Sequence, residues 1–444
     1  MNIDFLNELR WRGLLNQCTD EAALREHLES GTRRAYIGYD PTADSLTIGN
    51  LVTIMMLVHF ARAGHEPVVV MGGATGLIGD PSGKTAERQL RTREEVAQNV
   101  ERQKVIFQNV FGNAGLKTPT IVNNDDWWSG MSYVETLRDV GKHFSVNVMI
   151  QKDSVKSRLE QREQGISYTE FSYMILQAYD FLRLYEDRGV TVQMGGSDQW
   201  GNIVGGGDLI RRASGNSEAS DNDSTDRSTF GLTCPLVTKA DGTKFGKSES
   251  GAIWCTGPDD TDSPHRTSPY ALYQFWLNTP DADALRFLRI FTLLPMEEID
   301  SIEAAHAENP AQREAQRRLA QESTRLLHGR EAMEQAEAAG KALFSGDLSG
   351  LDERTLREVF AQAPSTDHDR SSLDNDGADP VDLLIETGLA KSKREAREFV
   401  SAGSVSVNGR KLAEGDRVTT DDLLHGSMIA IRRGKKNWHL TRWA

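Results

Sequence analysis

Two short stretches, almost two hundred residues apart, carry residues suited to holding a polyphosphate. Residues 36–50 read Tyr-Ile-Gly-Tyr-Asp-Pro-Thr-Ala-Asp-Ser-Leu-Thr-Ile-Gly-Asn, and residues 244–248 read Lys-Phe-Gly-Lys-Ser. The first stretch predicts a strand, a turn at Pro41 and a helix that opens near Thr47, whose free amides and positive dipole end can bind phosphate. The second sets two lysines on a glycine-containing loop, where they can stabilise charge on a departing pyrophosphate. Together the two stretches predict one nucleotide held from two sides.

A third glycine-rich stretch, at residues 79–85, invites comparison with a P-loop. A P-loop that ends at Gly83-Lys84-Thr85 requires a glycine at position 78, where this chain has Ile78. The stretch therefore does not fit a P-loop.

Two further sets of polar residues lie in segments that predict regular structure. Tyr173, Gln177 and Asp180 fall at i, i+4 and i+7, which places a phenol, an amide and a carboxylate on one face of a helix. Residues 193–202 read Gln-Met-Gly-Gly-Ser-Asp-Gln-Trp-Gly-Asn after a predicted strand, and the paired glycines permit close approach to the backbone. Without further context, a half-buried amphipathic helix and a capped turn would explain the same residues.

The elements that must position these residues are typical of a parallel sheet. Segment 34–39 predicts a strand, 47–62 a helix with apolar residues at a helical period, and 67–71 a valine-rich strand. Segments 191–194 and 231–237 predict two more strands. Strand, helix and strand joined by glycine-rich crossings indicate an α/β fold with a Rossmann-like parallel sheet.

The chain of 444 residues is long enough for two or three domains. The pattern after residue 263 favours amphipathic helices, and a later tract rich in Pro, Ser, Asp and Gly has few apolar residues. We predict a catalytic α/β domain at 1–250 with a polar, acidic insertion at about 214–229, a helical domain at 251–362, a linker at 363–380 and a small α+β domain at 381–444.

Composition narrows the class of protein. The formal net charge of −14 argues against a generally basic coat for nucleic acid, but residues 391–444 hold 12 Lys and Arg against 6 Asp and Glu. No apolar run is long enough to cross a bilayer, and the first ten residues lack an apolar export segment. Cys18, Cys234 and Cys255 show no metal-ligand spacing and fit a reducing compartment. We therefore expect a cytosolic, globular protein without a dedicated metal site.

The sequence resembles the bacterial tyrosyl-tRNA synthetases, a family of class I aminoacyl-tRNA synthetases, over nearly its whole length. The resemblance rests on residues 36–50 and 244–248 together, and on residues 171–181 and 193–202. It implies activation of L-tyrosine by ATP to tyrosyl-adenylate and transfer of tyrosine to the terminal ribose of its tRNA. It also implies Mg²⁺ as the companion of ATP, no tightly bound cofactor, and a homodimer with one tRNA lying across both subunits.

The same resemblance implies roles for single residues toward tyrosine. Asp180 and Tyr36 would meet the phenol of the substrate, and Asp80, Tyr173 and Gln177 would meet or face its amino group. A phenylalanine would leave a buried carboxylate and phenol unpaired, at a cost of roughly several kcal/mol. The other residues implied in tyrosine binding are Asn124, Gln193 and Gln199, of which Gln199 would meet the substrate carboxylate.

Roles toward ATP follow in the same way. Asp198 would bind the ribose hydroxyls, and Lys84 and Arg88 would lie on a loop that reaches the pyrophosphate. The residues implied in the chemical step are Lys84, Arg88, Lys244, Lys247 and Ser248. The residues implied in ATP binding are Gly38, Asp40, Thr42, Thr47, Gly49, Asn50, Gly196, Asp198 and Lys247.

Thr47 departs from the family pattern, which normally has a histidine at this position. A histidine ring can donate an N–H to the outer phosphates of ATP, whereas Thr47 offers a shorter, neutral hydroxyl. We therefore expect either a slower activation step or compensation by a neighbouring donor.

The basic C-terminal segment resembles a small RNA-binding fold first known from a ribosomal small-subunit protein. The residues expected to contact RNA are Lys393, Arg394, Arg397, Lys435 and Lys436. Two alternatives stay open at this point. One is an RNA-binding paralogue that has lost activity, for which Thr47 is the best support. The other is a synthetase for another aromatic amino acid, such as tryptophan, which the pair Tyr36 and Asp180 disfavours.

Overall fold

The computed structural model describes residues 3–80, 91–152, 155–156, 166–214, 229–243, 245–248, 251–258, 263–361, 363–374, 376–434 and 437–444. Several predicted functional groups lie outside the described residues: Lys84, Arg88, Lys244, Lys435, Lys436, the side chains of Lys247 and Ser248, and most of the insertion at 214–229. Across the described ranges, no helix has the length and apolar character needed to span a membrane.

The chain divides into two compact units, Met1–Thr267 with Thr279–His328, and Ser268–Asn278 with Gly329–Ala444. The described strands are β1 Gln17–Cys18, β2 Arg34–Tyr39, β3 Glu66–Met71, β4 Thr120–Asn123, β5 Val190–Gly196, β6 Phe230–Cys234, β7 Lys247–Ser248, β8 Gly251–Ala252, β9 Ser365–His368, β10 Val405–Val407, β11 Arg410–Lys411, β12 Met428–Arg433 and β13 Asn437–Trp443.

The described α-helices are α1 Phe5–Arg12, α2 Glu21–Glu29, α3 Ile48–Arg62, α4 Thr75–Ile78, α5 Arg93–Asn113, α6 Asp125–Trp128, α7 Tyr133–Glu135, α8 Val146–Gln151, α9 Tyr168–Arg188, α10 Trp200–Ala213, α11 Pro269–Leu277, α12 Asp281–Phe291, α13 Met296–Glu308, α14 Glu314–His328, α15 Arg330–Ser345, α16 Glu353–Val359, α17 Pro380–Glu386 and α18 Lys393–Ser401.

The first unit is built on a sheet with the strand order β1-β6-β5-β2-β3-β4. The strands β2 to β6 run parallel, and the short β1 pairs antiparallel with β6 at the edge. The strands predicted at 34–39, 67–71, 191–194 and 231–237 are confirmed, with ends that differ by at most three residues. The parallel Rossmann-like sheet is therefore confirmed as well.

The order of the strands creates a crevice in the middle of this sheet. The chain passes from β2 through β3 to β4 on one side, and then returns to place β5 on the other side of β2. Tyr36 of β2 is the register partner of Gln193 of β5. Ligands of open α/β sheets bind at such a switch point, beyond the carboxyl ends of the strands.

The predicted helical domain at 251–362 is divided between the two units, which is a correction to the domain prediction. The helices α12 to α14 belong to the first unit, and Arg12 of α1 shows why. Its buried guanidinium donates to the carbonyls of Arg289 and Thr292 at 2.8 Å and to that of Leu294 at 2.6 Å. These bonds satisfy one carbonyl in the last turn of α12 and two in the residues that follow it.

The second unit contains a sheet with the order β11-β10-β12-β13-β9. Strand β9 lies inside the predicted linker at 363–380 and pairs in parallel with β13, so this part of the linker prediction is wrong. The four residues Ser-Thr-Asp-His are polar, and backbone pairing at the sheet edge holds them without an apolar signal in the sequence. Helices α17 and α18 and strand β10 confirm the predicted α+β character of the C-terminal domain.

Candidate active site

The first motif places its last residues at the amino end of α3. Thr47 is the cap residue of that helix, and the amide oxygen of Asn50 accepts from the Thr47 backbone N–H at 3.1 Å and from its hydroxyl at 2.8 Å. The amide nitrogen of Asn50 has no hydrogen-bond partner among the described residues. The hydroxyl of Thr47 is therefore occupied in orienting Asn50, whose amide N–H groups are left available to a ligand.

The second motif lies directly against the first. The Ile48 N–H donates to the carbonyl of Ile253 at 2.9 Å, and the Ile253 N–H donates to the carbonyl of Gly246 at 3.0 Å. Gly246 has a φ of +86°, and a Cβ added to it would lie 3.0 Å from Cγ2 of Ile48. The backbone contacts confirm that the two distant stretches meet at the amino end of α3.

The carboxyl ends of β2 and β3 are joined through Asp40. Its carboxylate accepts from the Thr75 hydroxyl at 2.7 Å and from the Tyr173 hydroxyl at 2.9 Å. A side chain on Gly72 would overlap this carboxylate, which explains the glycine at the end of β3. The Tyr173 side chain is buried, and its burial together with the nearby Asp40 raises its pKa well above the usual value for tyrosine.

Asp180 of α9 is held by three donors from the end of β4 and from α6. Its Oδ1 accepts the indole N–H of Trp127 at 2.8 Å and that of Trp128 at 2.9 Å, and its Oδ2 accepts from the Asn124 amide at 3.0 Å. The residue is only 4% exposed. Burial raises the pKa of Asp180 to about 7, against the opposing effect of the three hydrogen bonds.

Tyr36 lies beside this carboxylate. Its side chain is 2% exposed, and its hydroxyl has no hydrogen-bond partner in the described part of the chain. Burial and the charge of Asp180 raise the pKa of Tyr36 well above its usual value. A buried hydroxyl without a partner is energetically costly, so its retention calls for a ligand or for an ordered water.

A second polar cluster lies at the end of β5. The Gln199 amide donates to the Asp80 carboxylate at 2.6 Å, and the Gln177 amide donates to the Gln199 oxygen at 3.3 Å. The amide oxygens of Gln177 and Gln193 are buried and have no hydrogen-bond partner among the described residues. Burial raises the pKa of Asp198, which also contacts Gln199. The cluster thus presents carboxylates and unsatisfied acceptors, the groups that an ammonium ion requires.

The remaining predicted site residues are placed as follows. Gly38 has open space where a side chain would begin, and a Cβ on Gly196 would lie 2.6 Å from the Asp198 carboxylate. The Thr42 N–H donates to the carbonyl of Asp40 at 2.8 Å. A Cβ on Gly49 would meet only the Thr47 hydroxyl, at 3.5 Å. The first unit therefore brings the described members of the predicted tyrosine and ATP sets to the carboxyl edge of one sheet.

The predicted RNA-binding residues that the structure describes lie in the second unit, on α18. Lys393 forms an ion pair with Asp382 at 2.6 Å, and Arg394 forms one with Glu398 at 3.0 Å. Lys393, Arg394 and Arg397 are all exposed. Because exposed pairs of this kind contribute little energy, these side chains can exchange partners for phosphate groups.

The sequence analysis missed three residues that support this site, namely Thr75, Trp127 and Trp128. Each is joined to a predicted residue that lies 35 to 53 positions away in the chain. The adjacent tryptophans at the end of a strand were the available signal, since indole N–H groups are usually paired when they are buried. Within the described residues, no cluster of three or more His, Cys, Asp or Glu is placed to hold a metal ion.

Comparisons with known proteins show the family to which the chain belongs. The family of class I tRNA synthetases (W and Y) matches residues 29–345, and the tyrosine–tRNA ligase SYY-like C-terminal domain matches residues 355–441. The tyrosine–tRNA ligase of Geobacillus kaustophilus is 48% identical over 444 residues, which cover 100% of both chains. That of Aliivibrio fischeri is 49% identical over 443 residues, with 99% of each chain covered.

A solved structure supports the same relationship. The C-terminally truncated mitochondrial tyrosyl-tRNA synthetase of Aspergillus nidulans superposes with a TM-score of 0.67 at 31% identity, and the match covers 77% of this chain and 94% of that one. The sheet and the paired motifs define a class I aminoacyl-tRNA synthetase fold. Within that class, the chain belongs to the tyrosine–tRNA ligase family.

Proposed function

We propose that this chain activates L-tyrosine with ATP and transfers it to the terminal ribose of tRNA(Tyr), with the residues of the crevice in the roles that follow. The tyrosine carboxylate attacks the α-phosphorus of ATP, pyrophosphate leaves, and the tRNA hydroxyl then attacks the carbonyl of tyrosyl-adenylate. We assign no covalent nucleophile or general base to the crevice. Positioning and charge stabilisation supply the rate.

The tyrosine side chain lies between Tyr36 and Asp180. The observation that carries this assignment is the buried Tyr36 hydroxyl, which has no hydrogen-bond partner among the described residues. A substrate phenol donates to Asp180 and accepts from Tyr36, so both groups become satisfied at once. Phenylalanine satisfies neither, which is the physical basis for its rejection.

The amino and carboxylate groups of tyrosine occupy the cluster at the end of β5. Asp80, the Tyr173 hydroxyl and the oxygen of Gln177 surround the ammonium group, and Gln199 serves the carboxylate. Asn124 acts indirectly, because its amide already binds Thr75, Asp180 and the Ala74 N–H. Gln193 offers a buried oxygen at the register partner of Tyr36.

ATP binds across the amino end of α3 with its Mg²⁺. Gly38, Asp40, Thr42 and Gly49 line its approach, and Asp198 and Gly196 receive the ribose. Asn50 supplies the neutral donor that compensates for the absence of a histidine at position 47, because Thr47 fixes its orientation. The charge of the departing pyrophosphate is stabilised by Lys84, Arg88, Lys244, Lys247 and Ser248.

Replacement of Tyr36 by phenylalanine tests the tyrosine slot. Tyr36→Phe removes a hydroxyl that has no hydrogen-bond partner among the described residues, so stability holds, while the preference for tyrosine over phenylalanine in pyrophosphate exchange falls roughly three- to tenfold. The measurement is the ratio of kcat/KM for the two amino acids, together with the free energy of unfolding.

Tyr39→Phe is the matched control on the same strand. The Tyr39 hydroxyl bonds to the Thr53 hydroxyl at 3.1 Å, so its loss lowers stability by about 1 kcal/mol and leaves the amino-acid preference unchanged. An unchanged preference in Tyr36→Phe, or an equal shift in both variants, would contradict the assignment.

The partners follow from the two units. The exposed cations of α18, together with Lys435 and Lys436, contact the tRNA, which lies across two copies of the chain. An apolar surface in the first unit supports self-association, and we define it by its exposed residues: Tyr133, Val134, Leu137, Val146, Val148, Ile150 and Tyr168.

Three free cysteines support a reducing, cytosolic location.

A further inference from the structure

The carboxylate of Asp180 is held in an unusual way, with two indole N–H groups on one oxygen. Trp127 and Trp128 donate to Oδ1 at 2.8 and 2.9 Å, and Asn124 donates to Oδ2 at 3.0 Å. An ionised carboxylate offers about four acceptor positions, two on each oxygen. Oδ1 is therefore filled by these two donors, and the described residues leave one position open on Oδ2.

Local structure fixes Trp128 for this task. It ends the short helix α6, which begins directly after Asn124, so all three donors come from one turn of chain. The Trp128 ring packs on Tyr179 with ring centroids 4.8 Å apart, and Tyr179 directly precedes Asp180 on α9. Trp128 thus contacts both the carboxylate of Asp180 and the side chain of Tyr179, the residue that precedes Asp180 in the chain.

We propose that Trp128 is a positioning residue for tyrosine selection: with Trp127 it keeps Asp180 ionised and leaves Oδ2 as the single acceptor that faces the substrate. This inference rests on the proposed tyrosine slot and adds the hydrogen bonds that keep the carboxylate of the slot an acceptor. A slot with one free acceptor and the Tyr36 hydroxyl as donor matches a phenol, which both donates and accepts a hydrogen bond. A group that does only one of these, or neither, does not match the slot.

The surroundings of Asp180 show why such donors are needed. The residue is buried, and the negative charge of Asp40 also acts against its ionisation. The other polar groups that interact with it, Tyr36 and Tyr173, are hydroxyls whose pKa values are raised, so they stay neutral. The indole and amide N–H groups oppose the effect of burial, because hydrogen bonds to the charged form favour that form.

Protonation of Asp180 would change the hydrogen-bonding groups that the tyrosine slot offers. With Oδ1 filled, the proton goes to Oδ2, where it replaces the free acceptor by a donor, and a phenol then meets two donors. The KM for tyrosine therefore rises as the pH falls through the pKa of Asp180. Loss of the Trp128 N–H destabilises the ionised carboxylate of Asp180. In Trp128→Phe the KM for tyrosine therefore begins to rise at a pH about one unit higher.

The experiment is the KM for tyrosine in pyrophosphate exchange by the full chain, measured from about pH 6 to about pH 9. We expect the Trp128→Phe profile to move up by about one pH unit, with the KM for ATP unchanged. Trp127→Phe, which removes the other N–H from the same oxygen, gives the same shift. Trp438→Phe, a replacement in the second unit, leaves the profile in place.

Different outcomes test the role of Trp128 and the proposed function separately. A tyrosine KM that rises equally at every pH in both variants would mean a purely structural role and would overturn the inference. A profile identical to that of the unmodified chain would overturn it as well. Absence of tyrosine-dependent exchange in the unmodified chain would instead overturn the proposed function. Thermal unfolding of each variant shows whether a change in KM accompanies a loss of structure.

Discussion

At the residue scale, Asp44 shows how one buried carboxylate can join several segments of the chain. It accepts hydrogen bonds from Ser263 at 3.0 Å and His265 at 2.7 Å, and it pairs with Arg102 at 2.7 Å and Arg266 at 3.0 Å. Burial alone would raise the pKa of Asp44, but the hydrogen bonds from Ser263, His265 and Arg266 lower it to about 2. The first motif is thereby tied to α5 and to the segment after residue 262.

The lowered pKa of Asp44 predicts a defined dependence of stability on pH. Its stabilising effect is fully present above the unfolded value of about 4 and is lost as the pH falls toward about 2. Asp44→Asn should therefore lower the free energy of unfolding by about 2 kcal/mol at neutral pH, and the deficit should shrink below about pH 4. Urea unfolding at several pH values measures the loss of stability in this variant and its dependence on pH.

Asp187→Asn is the control for this prediction. Asp187 pairs with Arg183 at 2.8 Å on the surface of α9, where about half of its side chain is exposed, so its replacement should change stability by less than about 0.5 kcal/mol. A similar loss in both variants would show that Asp44 contributes no more than an ordinary surface charge.

Single residues of the site were predictable where the family resemblance names them, as for Tyr36 and Asp180. The hydrogen bonds that hold them were not. Trp127 and Trp128 lie more than fifty residues before Asp180 in the chain, and their indole groups meet its carboxylate only because α6 and α9 pack together. The same holds for Asp40, whose partners Thr75 and Tyr173 follow it by 35 and 133 positions.

At the scale of elements, the contact between the second motif and α3 depends on a glycine. Gly246 adopts a φ of +86°, and its missing Cβ makes room for Ile48 at 3.0 Å. Gly246→Ala should therefore push the loop away from the amino end of α3 and lower the rate of pyrophosphate exchange at least tenfold, roughly the loss expected when a phosphate-binding group is misplaced.

Gly242→Ala isolates the steric part of this effect. Gly242 lies in the same loop with a φ of +79°, but no described atom lies within 4 Å of an added Cβ. Both substitutions carry a similar backbone strain of roughly 1–2 kcal/mol, and only that at position 246 collides with α3. Equal activity in the two variants would refute a role for the close approach of loop and helix.

The sequence predicted elements well where apolar residues recur with a clear period. Strand β3 and helix α3 are mostly buried and rich in Val, Ile, Leu and Met, and β2 buries Ala35, Tyr36, Ile37 and Tyr39, which explains the close agreement of their bounds. Strand β9 was missed because its residues are polar and its place is set by pairing with β13. Strand β1, with two residues, is too short for any periodicity.

At the scale of the whole molecule, the apolar surface around Tyr133 predicts self-association. All of its residues except Tyr168 of α9 come from short elements between residues 133 and 151, and the hydroxyls of Tyr133 and Tyr168 form a hydrogen bond at 2.9 Å. Val134→Asp places a charge on a side chain that is 72% exposed, so the fold should tolerate it while a dimer dissociates to monomers. Analytical ultracentrifugation at several protein concentrations measures the change.

Phe344→Asp provides the comparison, because Phe344 is 92% exposed and lies in the second unit, outside the apolar surface. It should leave the sedimentation of the chain unchanged. If both variants keep the mass of the unmodified chain, or if that chain is itself a monomer, the apolar surface does not mediate association.

The division into two units was beyond the reach of the sequence. Helix α11 precedes α12 directly in the chain, yet α11 belongs to the second unit and α12 to the first. Both helices have amphipathic patterns, and such patterns show that a face is buried without showing which partner covers it. Only the packing of side chains such as Arg12 decides the assignment.

The single open acceptor on Asp180 also bears on chemical analogues of the amino acid. An aniline in place of the phenol retains a hydrogen to donate and should be accepted, whereas a methyl ether or a nitrile at the para position brings none. An enlarged slot alone would therefore not admit such compounds. Recoding this protein for them requires that the carboxylate itself be replaced, together with the tryptophans that hold it.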